Sequence, residues 1–169
     1  MVSGKSGLNN KVTSAGFFEW EQDTQITKSF DKGEFVLTTL ASIKDDAVAI
    51  DRSLKLLINN NVSAIAIKDI YFKDLPDAIK DYSNEHGVPI MFFTDTYIDE
   101  ILYAIKNETL NSLYTSFNEI VLDTLISNDN LDVLEKENLL RKINPFFYSA
   151  TIMCAFISNR TDTSSISQD

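Results

Sequence analysis

Cysteine is nearly missing: Cys154 is the single one in 169 residues, so no disulfide can close within the chain. A lone thiol fits a reducing compartment, and a cytoplasmic protein is expected. Histidine is equally scarce, with His86 alone. Zinc sites want several Cys or His at short spacing, so no metal is expected. Five glycines form neither G-x-G-x-x-G nor G-x-x-x-x-G-K-[ST], which argues against a phosphate-cradling loop. Positive charge is also in short supply, 15 Lys and Arg against 25 Asp and Glu for a net charge of −10. The basic residues are scattered, whereas nonspecific binding to phosphate backbones needs them clustered. Lys136, Arg141 and Lys142 read as the solvated face of a helix. No apolar run reaches the length of a membrane span, and the N-terminus lacks a charged region followed by an apolar one, so no membrane partner is expected. Without a secretory signal, the glycosylation patterns beginning at Asn61, Asn107 and Asn159 read as coincidence.

Catalytic chemistry is hard to assemble from what remains. Cys154 lies in an apolar run and reads as a small buried hydrophobe rather than the partner of His86, which precedes a helix-ending glycine. The acidic pairs Asp45/Asp46, Asp95/Asp99 and Asp99/Glu100 are explained by capping and by the helix dipole. They match no Ca²⁺ loop. No nucleophile–base pair emerges, so neither an enzyme nor a cofactor is expected.

What the chain does have is a 44% hydrophobic content and a clear alternation of strands and helices. Residues 60–94 organise it. Val62–Ile67 is an apolar run of the kind that a sheet buries on both faces. Leu75, Ala78, Ile79 and Tyr82 then fall on one side of a helix, with Pro76 in its first turn, Asp74 as the cap and Gly87 at its end. Pro89 opens the next strand, through Phe93. Upstream, Val12–Trp20 is a strand, residues 21–29 a loop or short helical turn, and Glu34–Thr39 a strongly β-prone strand. Asp45 and Asp46 open a helix with the stripe Ala47, Ile50, Leu54, Leu57 and Ile58, closed by Asn59-Asn60-Asn61. Two βαβ units in succession predict an α/β fold: a small, mostly parallel sheet with flanking helices, followed by a helical linker.

After Thr94 the pattern is helical. Ile98, Ile101, Leu102 and Ile105 recur at helix spacing, and Leu110, Leu113, Phe117 and Ile120 alternate by three and four. That second set is either a dimerisation seam about two heptads long or a helix face packed on its own domain. A break at residues 127–130 precedes a second amphipathic segment, Leu131–Ile143, and then a β-like run, Tyr148–Ile157. The expected division is an α/β domain over 1–106, a helical linker over 107–145, and the start of a further domain or a disordered tail over 146–169.

In open parallel sheets ligands bind beyond the carboxyl ends of the strands. Thr38, Thr39 and Ser42, then Lys68 and Asp69, then Thr94 and Asp95 fall there, and they are the candidate ligand-binding residues. Taken singly, each also serves to solvate a loop end or cap a helix.

One ordered set of residues resembles a known family. Gly7-Leu8 with Val12, Glu19, Lys32-Gly33-Glu34 with Leu37-Thr38-Thr39, Leu75-Pro76, Gly87-x-Pro89 and Tyr97-x-Asp99-x-Ile101 resemble the N-terminal domain of PucR-type bacterial regulators, the purine catabolism regulators. The resemblance covers residues 4–105. It implies a noncatalytic module of a transcription regulator that senses a small, purine-related metabolite. It also implies contact with DNA only through a C-terminal helix-turn-helix outside this chain, and a homodimer is expected through the Leu110, Leu113, Phe117 and Ile120 seam. The sheet is similar by analogy to the N-terminal domains of HPr kinase and Mur ligases. Leu40 stands where the family often has glycine, and the chain begins close to the Gly-Leu turn, as a trimmed segment would. An interaction or dimerisation module without a metabolite is the alternative.

Overall fold

Alternating apolar runs and amphipathic stripes produce a single sheet whose strands all point one way. In the computed structural model, which describes residues 2–146, the strands are β1 (Ser14–Phe18), β2 (Glu34–Thr38), β3 (Ala64–Lys68) and β4 (Ile90–Phe93). Their order is β1-β2-β3-β4 and every neighbouring pair is parallel. Helices α1 (Asp23–Ser29), α2 (Ala47–Asn59) and α3 (Asp77–His86) make the crossovers.

Register sorts the side chains by face, because they alternate along each strand. Val36, Ile65 and Ile90 lie in one row, and Phe18, Thr38, Ile67 and Phe92 in the next. Their apolar members form one core with Ile26 of α1, Ile50, Leu54, Leu57 and Ile58 of α2, and Ile79 of α3. The three crossover helices therefore share one face of the sheet. Ala15, Leu37, Ala64 and Ala66 occupy the other face and are also buried. Burying each large aliphatic side chain contributes roughly 1.5–3 kcal/mol, which makes this core the main source of stability.

Local chemistry sets the helix ends. Asp46 accepts the N–H groups of Val48 and Ala49 at 3.0 and 2.9 Å, the expected cap of α2. Asn60 at its far end donates to the carbonyls of Ile26 and Phe30, tying α2 to α1. The polar stretch after Trp20 forms α1 because Gln22 and Gln25 make a reciprocal capping box. Asp74 does not cap α3. The N-cap is Pro76, without a side-chain cap, while Asp74 pairs with Lys80 at 2.8 Å. That hydrogen bond holds the Asp74 carboxyl below its usual range.

The Gly-Leu turn and the Gly-x-Pro segment prove to be two sides of one contact. Ser3 bridges Ile90 in antiparallel fashion, and its hydroxyl bonds Ser83 at 2.8 Å. The Gly4 N–H donates to Asn84 at 2.7 Å. A Cβ at Gly7 would run into the Gly87 carbonyl, so glycine is required there by close approach.

One helix, α4 (Ile98–Ser127), carries both apolar sets that follow the sheet, and α5 (Val133–Ile143) comes after an Asp132–Glu135 capping box. The chain divides into two compact units, the first ending at Thr115 and the second beginning at Ser116, within α4. In the second unit Val121 and Leu140 are buried. The run Tyr148–Ile157, including Cys154, lies outside the described residues.

Candidate functional site

Parallel strands place all their carboxyl ends on one rim. The rim is organised by Glu19, which follows β1 and is buried to 6% exposure. Its carboxylate accepts the Thr39 hydroxyl at 2.6 Å, the Ala41 N–H at 2.8 Å and the Thr39 N–H at 3.2 Å. The Ser42 hydroxyl donates to the Glu19 main-chain carbonyl. Thr38 is fully buried, and its hydroxyl accepts the N–H of Leu40 at 2.9 Å. These bonds hold a sharp reversal of the chain in which Leu40 adopts a left-handed φ of 56°. That conformation suits glycine and strains leucine, whose side chain is here completely buried.

The structure thus brings Thr38, Thr39 and Ser42 together, around a carboxylate that the positional argument did not include. It does not bring Lys68, Asp69, Thr94 and Asp95 into the same cluster. Thr38 and Lys68 point to opposite faces, because Thr38 is in register with Ile67 and the next residue alternates. The Lys68 ammonium sits 5.3 Å above the Tyr97 ring, bridging the end of β3 to the start of α4. Asp69 pairs with Lys73 at 2.9 Å, and its N–H donates to the Phe93 carbonyl. Thr94 and Asp95 are exposed, Asp95 with a φ of 58°. The consecutive strand order also lacks the reversal that opens a crevice in doubly wound sheets.

A cleft of about 520 Å³ opens beside the Glu19 cluster, between the end of β1, the start of α1 and one side of α2. Of the expected residues, Ser42 lines it. The others are Trp20, Gln22, Asp23, Arg52 and Ser53 among its walls. Trp20 is 76% exposed and meets Phe17 edge-on at 6.4 Å, leaving an indole face to solvent. The Glu21 carboxylate accepts the N–H groups of Glu19 and Trp20, fixing the backbone beneath the ring. Arg52 Nε meets Asp23 at 2.6 Å, a solvent-exposed pair that adds little to stability, well under about 1 kcal/mol, and whose partners can turn toward a ligand. An indole face, a guanidinium, an amide and two hydroxyls suit a flat ligand rich in nitrogen and oxygen. The sequence signal that could have found this cleft was a tryptophan among polar residues just past a strand end, where burial does not explain it.

On α4, Leu110, Leu113, Phe117 and Ile120 are 43–65% exposed. Among the described residues no three His, Cys, Asp or Glu side chains gather as a metal site, and no helix is long and apolar enough to cross a membrane.

The fold is that of a small α/β domain leading into a helical stretch. The model of the purine catabolism regulatory protein-like family, PucR, matches residues 1–108, and the chain belongs to that family. Membership suggests a regulatory domain, from a group of transcription regulators that is generally noncatalytic. No curated protein and no solved structure matches the chain.

Proposed function

We propose that this chain is the sensing module of a PucR-like transcription regulator: a small metabolite binds at the carboxyl rim, and α4 carries the response toward a DNA-binding domain elsewhere in the regulator. The observation that carries this reading is the exposed indole of Trp20 beside Arg52 in a cleft of ligand size. The family's description, purine catabolism regulatory protein-like, is our reason to look first to purine-related compounds, whose flat rings would stack on an indole and whose ring nitrogens and carbonyls would pair with Arg52, Gln22 and Ser42. Thr39 acts indirectly, by holding Glu19, the residue before the Trp20 that lines the cleft. Lys68, with Asp69, Thr94 and Asp95 beside it on the rim, links the strand ends to α4 through Tyr97.

Trp20 is the only tryptophan in the chain, so its emission reports on the cleft directly. Purine bases and their oxidised breakdown products should quench that emission saturably and raise the melting temperature. Arg52→Ala should weaken both responses at least ten-fold. If none of these compounds changes either signal, the metabolite reading fails.

The second reading, a dimerising module without a metabolite, is favoured by the exposed stripe of α4, at Leu110, Leu113, Phe117 and Ile120. The two readings are compatible if the dimer transmits the signal. A Leu113→Glu, Phe117→Glu variant that sediments as a monomer where the parent chain is a dimer supports the seam. An unchanged sedimentation coefficient removes it.

A further inference from the structure

We propose that the amino end of the sheet carries a second, independent site, which binds an oxyanion of the phosphate type, free or attached to a small organic body. A cleft of about 470 Å³ lies there, where the segment before β1, the turn before β2, the start of β3 and the end of α3 converge. It shares no wall with the Trp20 cleft.

Three observations carry the proposal. The first is charge. The chain has an excess of ten negative charges, yet the walls of this cleft include Lys11, Lys32 and His86 and no carboxylate. Among the described residues neither lysine has an ion-pair partner, so both ammonium groups are open to an added anion. Asp31 and Glu34, either side of Lys32 and Gly33, are joined to each other: the Glu34 carboxylate accepts the Asp31 N–H at 3.0 Å.

The second observation is Ser63. It is 2% exposed and lines the cleft, and its hydroxyl has no hydrogen-bond partner among the described residues. A buried hydroxyl without a partner is unfavourable, so its retention calls for a reason. Ser3 and Ser83, equally buried, bond each other, and Ser83 bonds the Val88 carbonyl as well.

The third is rigidity. Asn10 donates to the carbonyls of Ser63 and Gly87 at 3.2 and 2.9 Å, stitching two walls together. The Gly33 N–H donates to the Asn61 carbonyl at 2.9 Å and joins the other two. The His86 Nδ1 sits 2.9 Å from the Tyr82 carbonyl, an arrangement that makes Nδ1 the donor and leaves Nε2 free. Two ammonium groups and one buried hydroxyl, carried on a fixed backbone frame, match the donor set that a phosphate group accepts, and the His86 Nε2 is left to accept the P–OH of a monoprotonated phosphate.

The test titrates the whole chain with inorganic phosphate and with glycerol 1-phosphate, by calorimetry and thermal shift, against chloride at matched ionic strength. Saturable phosphate binding, with a melting-temperature rise that chloride does not reproduce, is expected. Lys11→Ala with Lys32→Ala should weaken it at least ten-fold, and Ser63→Ala several-fold, without lowering the melting temperature in chloride. Tighter binding of glycerol 1-phosphate than of phosphate assigns the site to a phosphorylated metabolite; the reverse assigns it to the free anion. The proposal is overturned if phosphate and chloride act alike, or if both variants bind as the parent does. Trp20 emission reads the other cleft separately, so the two sites stand or fall on different signals.

Discussion

The two ends of this sheet treat their polar groups differently. At the carboxyl rim they bond one another: the Glu19 carboxylate takes both the hydroxyl and the N–H of Thr39 and the N–H of Ala41, and the Thr38 hydroxyl takes the N–H of Leu40. At the amino end Ser63, Lys11 and Lys32 have no such partners among the described residues. A polar group with its bonds made is part of the scaffold, and one left unmatched is available to something else. The rim therefore owes its binding potential to what stands outside the Glu19 cluster, chiefly Trp20 and Arg52. The amino end owes its potential to the wall residues themselves.

Substitutions at Glu19 should break the comparison hardest. Glu19→Ala strands the Thr39 hydroxyl and N–H and leaves the Ala41 N–H only the Thr39 hydroxyl oxygen at 3.1 Å. Hydrogen bonds to a charged acceptor are worth about 1.5–3 kcal/mol each. Because the bonds are coupled, a loss of about 4 kcal/mol in urea unfolding is expected rather than the full sum. Glu19→Gln keeps one acceptor oxygen and should lose about half as much. If Glu19→Ala is nearly neutral, the rim is not scaffold, and the contrast between the two ends collapses.

Gly7→Ala should come next, at about 3 kcal/mol, because the added Cβ meets the Gly87 carbonyl, a backbone group that cannot swing aside. The same change should loosen the Asn10 bonds that join the amino-end walls, so phosphate binding should weaken along with stability. Leu40→Gly sets two effects against each other. Glycine relieves left-handed strain of about 1 kcal/mol but empties a fully buried site, at roughly 3 kcal/mol. A net loss of about 2 kcal/mol is expected, even though glycine is the better residue for that φ.

These three positions also mark how far the sequence could be read. The parallel order, the larger aliphatic members of the α2 and α3 stripes and the Asp46 cap follow from periodicity and capping chemistry. Ala47 and Ala78, expected on those stripes, are exposed because each sits at the edge of its first turn. Gly7, Glu19 and Gly87 stood out through family resemblance. Their mutual contacts did not, because a motif records that a residue is needed and not what it touches. Leu40 could be seen to depart from a glycine, but the left-handed φ behind that preference appears only in the structure. Thr38 and Lys68 looked like neighbours because their strands are adjacent; the one-residue offset in register sends them to opposite faces. Trp20, Arg52 and Ser63 escaped notice because no spacing rule selects a residue for being unexpectedly exposed or unbonded.

Ser63→Ala sharpens the comparison from the other side. Removing a hydroxyl that bonds nothing among the described residues should leave stability unchanged or raise it by up to about 1 kcal/mol, against the large loss at Glu19. A clear destabilisation would show that the hydroxyl already has a structural partner, and the reason to expect a ligand there would go.

The smallest effect is expected at Glu34, and its sign depends on pH. Burial at the start of β2 raises the Glu34 carboxyl above its usual range, with the nearby Asp31 charge adding to the rise and the Asp31 N–H opposing it. A carboxyl whose folded pKa is raised binds its proton more readily in the folded chain than in the unfolded one. The native state is therefore favoured while Glu34 is protonated, and that advantage is lost as pH rises through the folded pKa. Glu34→Gln mimics the protonated form and keeps an oxygen for the Asp31 N–H. Its melting temperature should match that of the parent chain below the ordinary glutamate range and exceed it slightly at neutral pH, the gap opening between the two. A gap of the opposite sign would mean that the Asp31 hydrogen bond to the charged carboxylate outweighs the burial of that charge, and the amino end would then hold its own anion as firmly as the carboxyl rim holds Glu19.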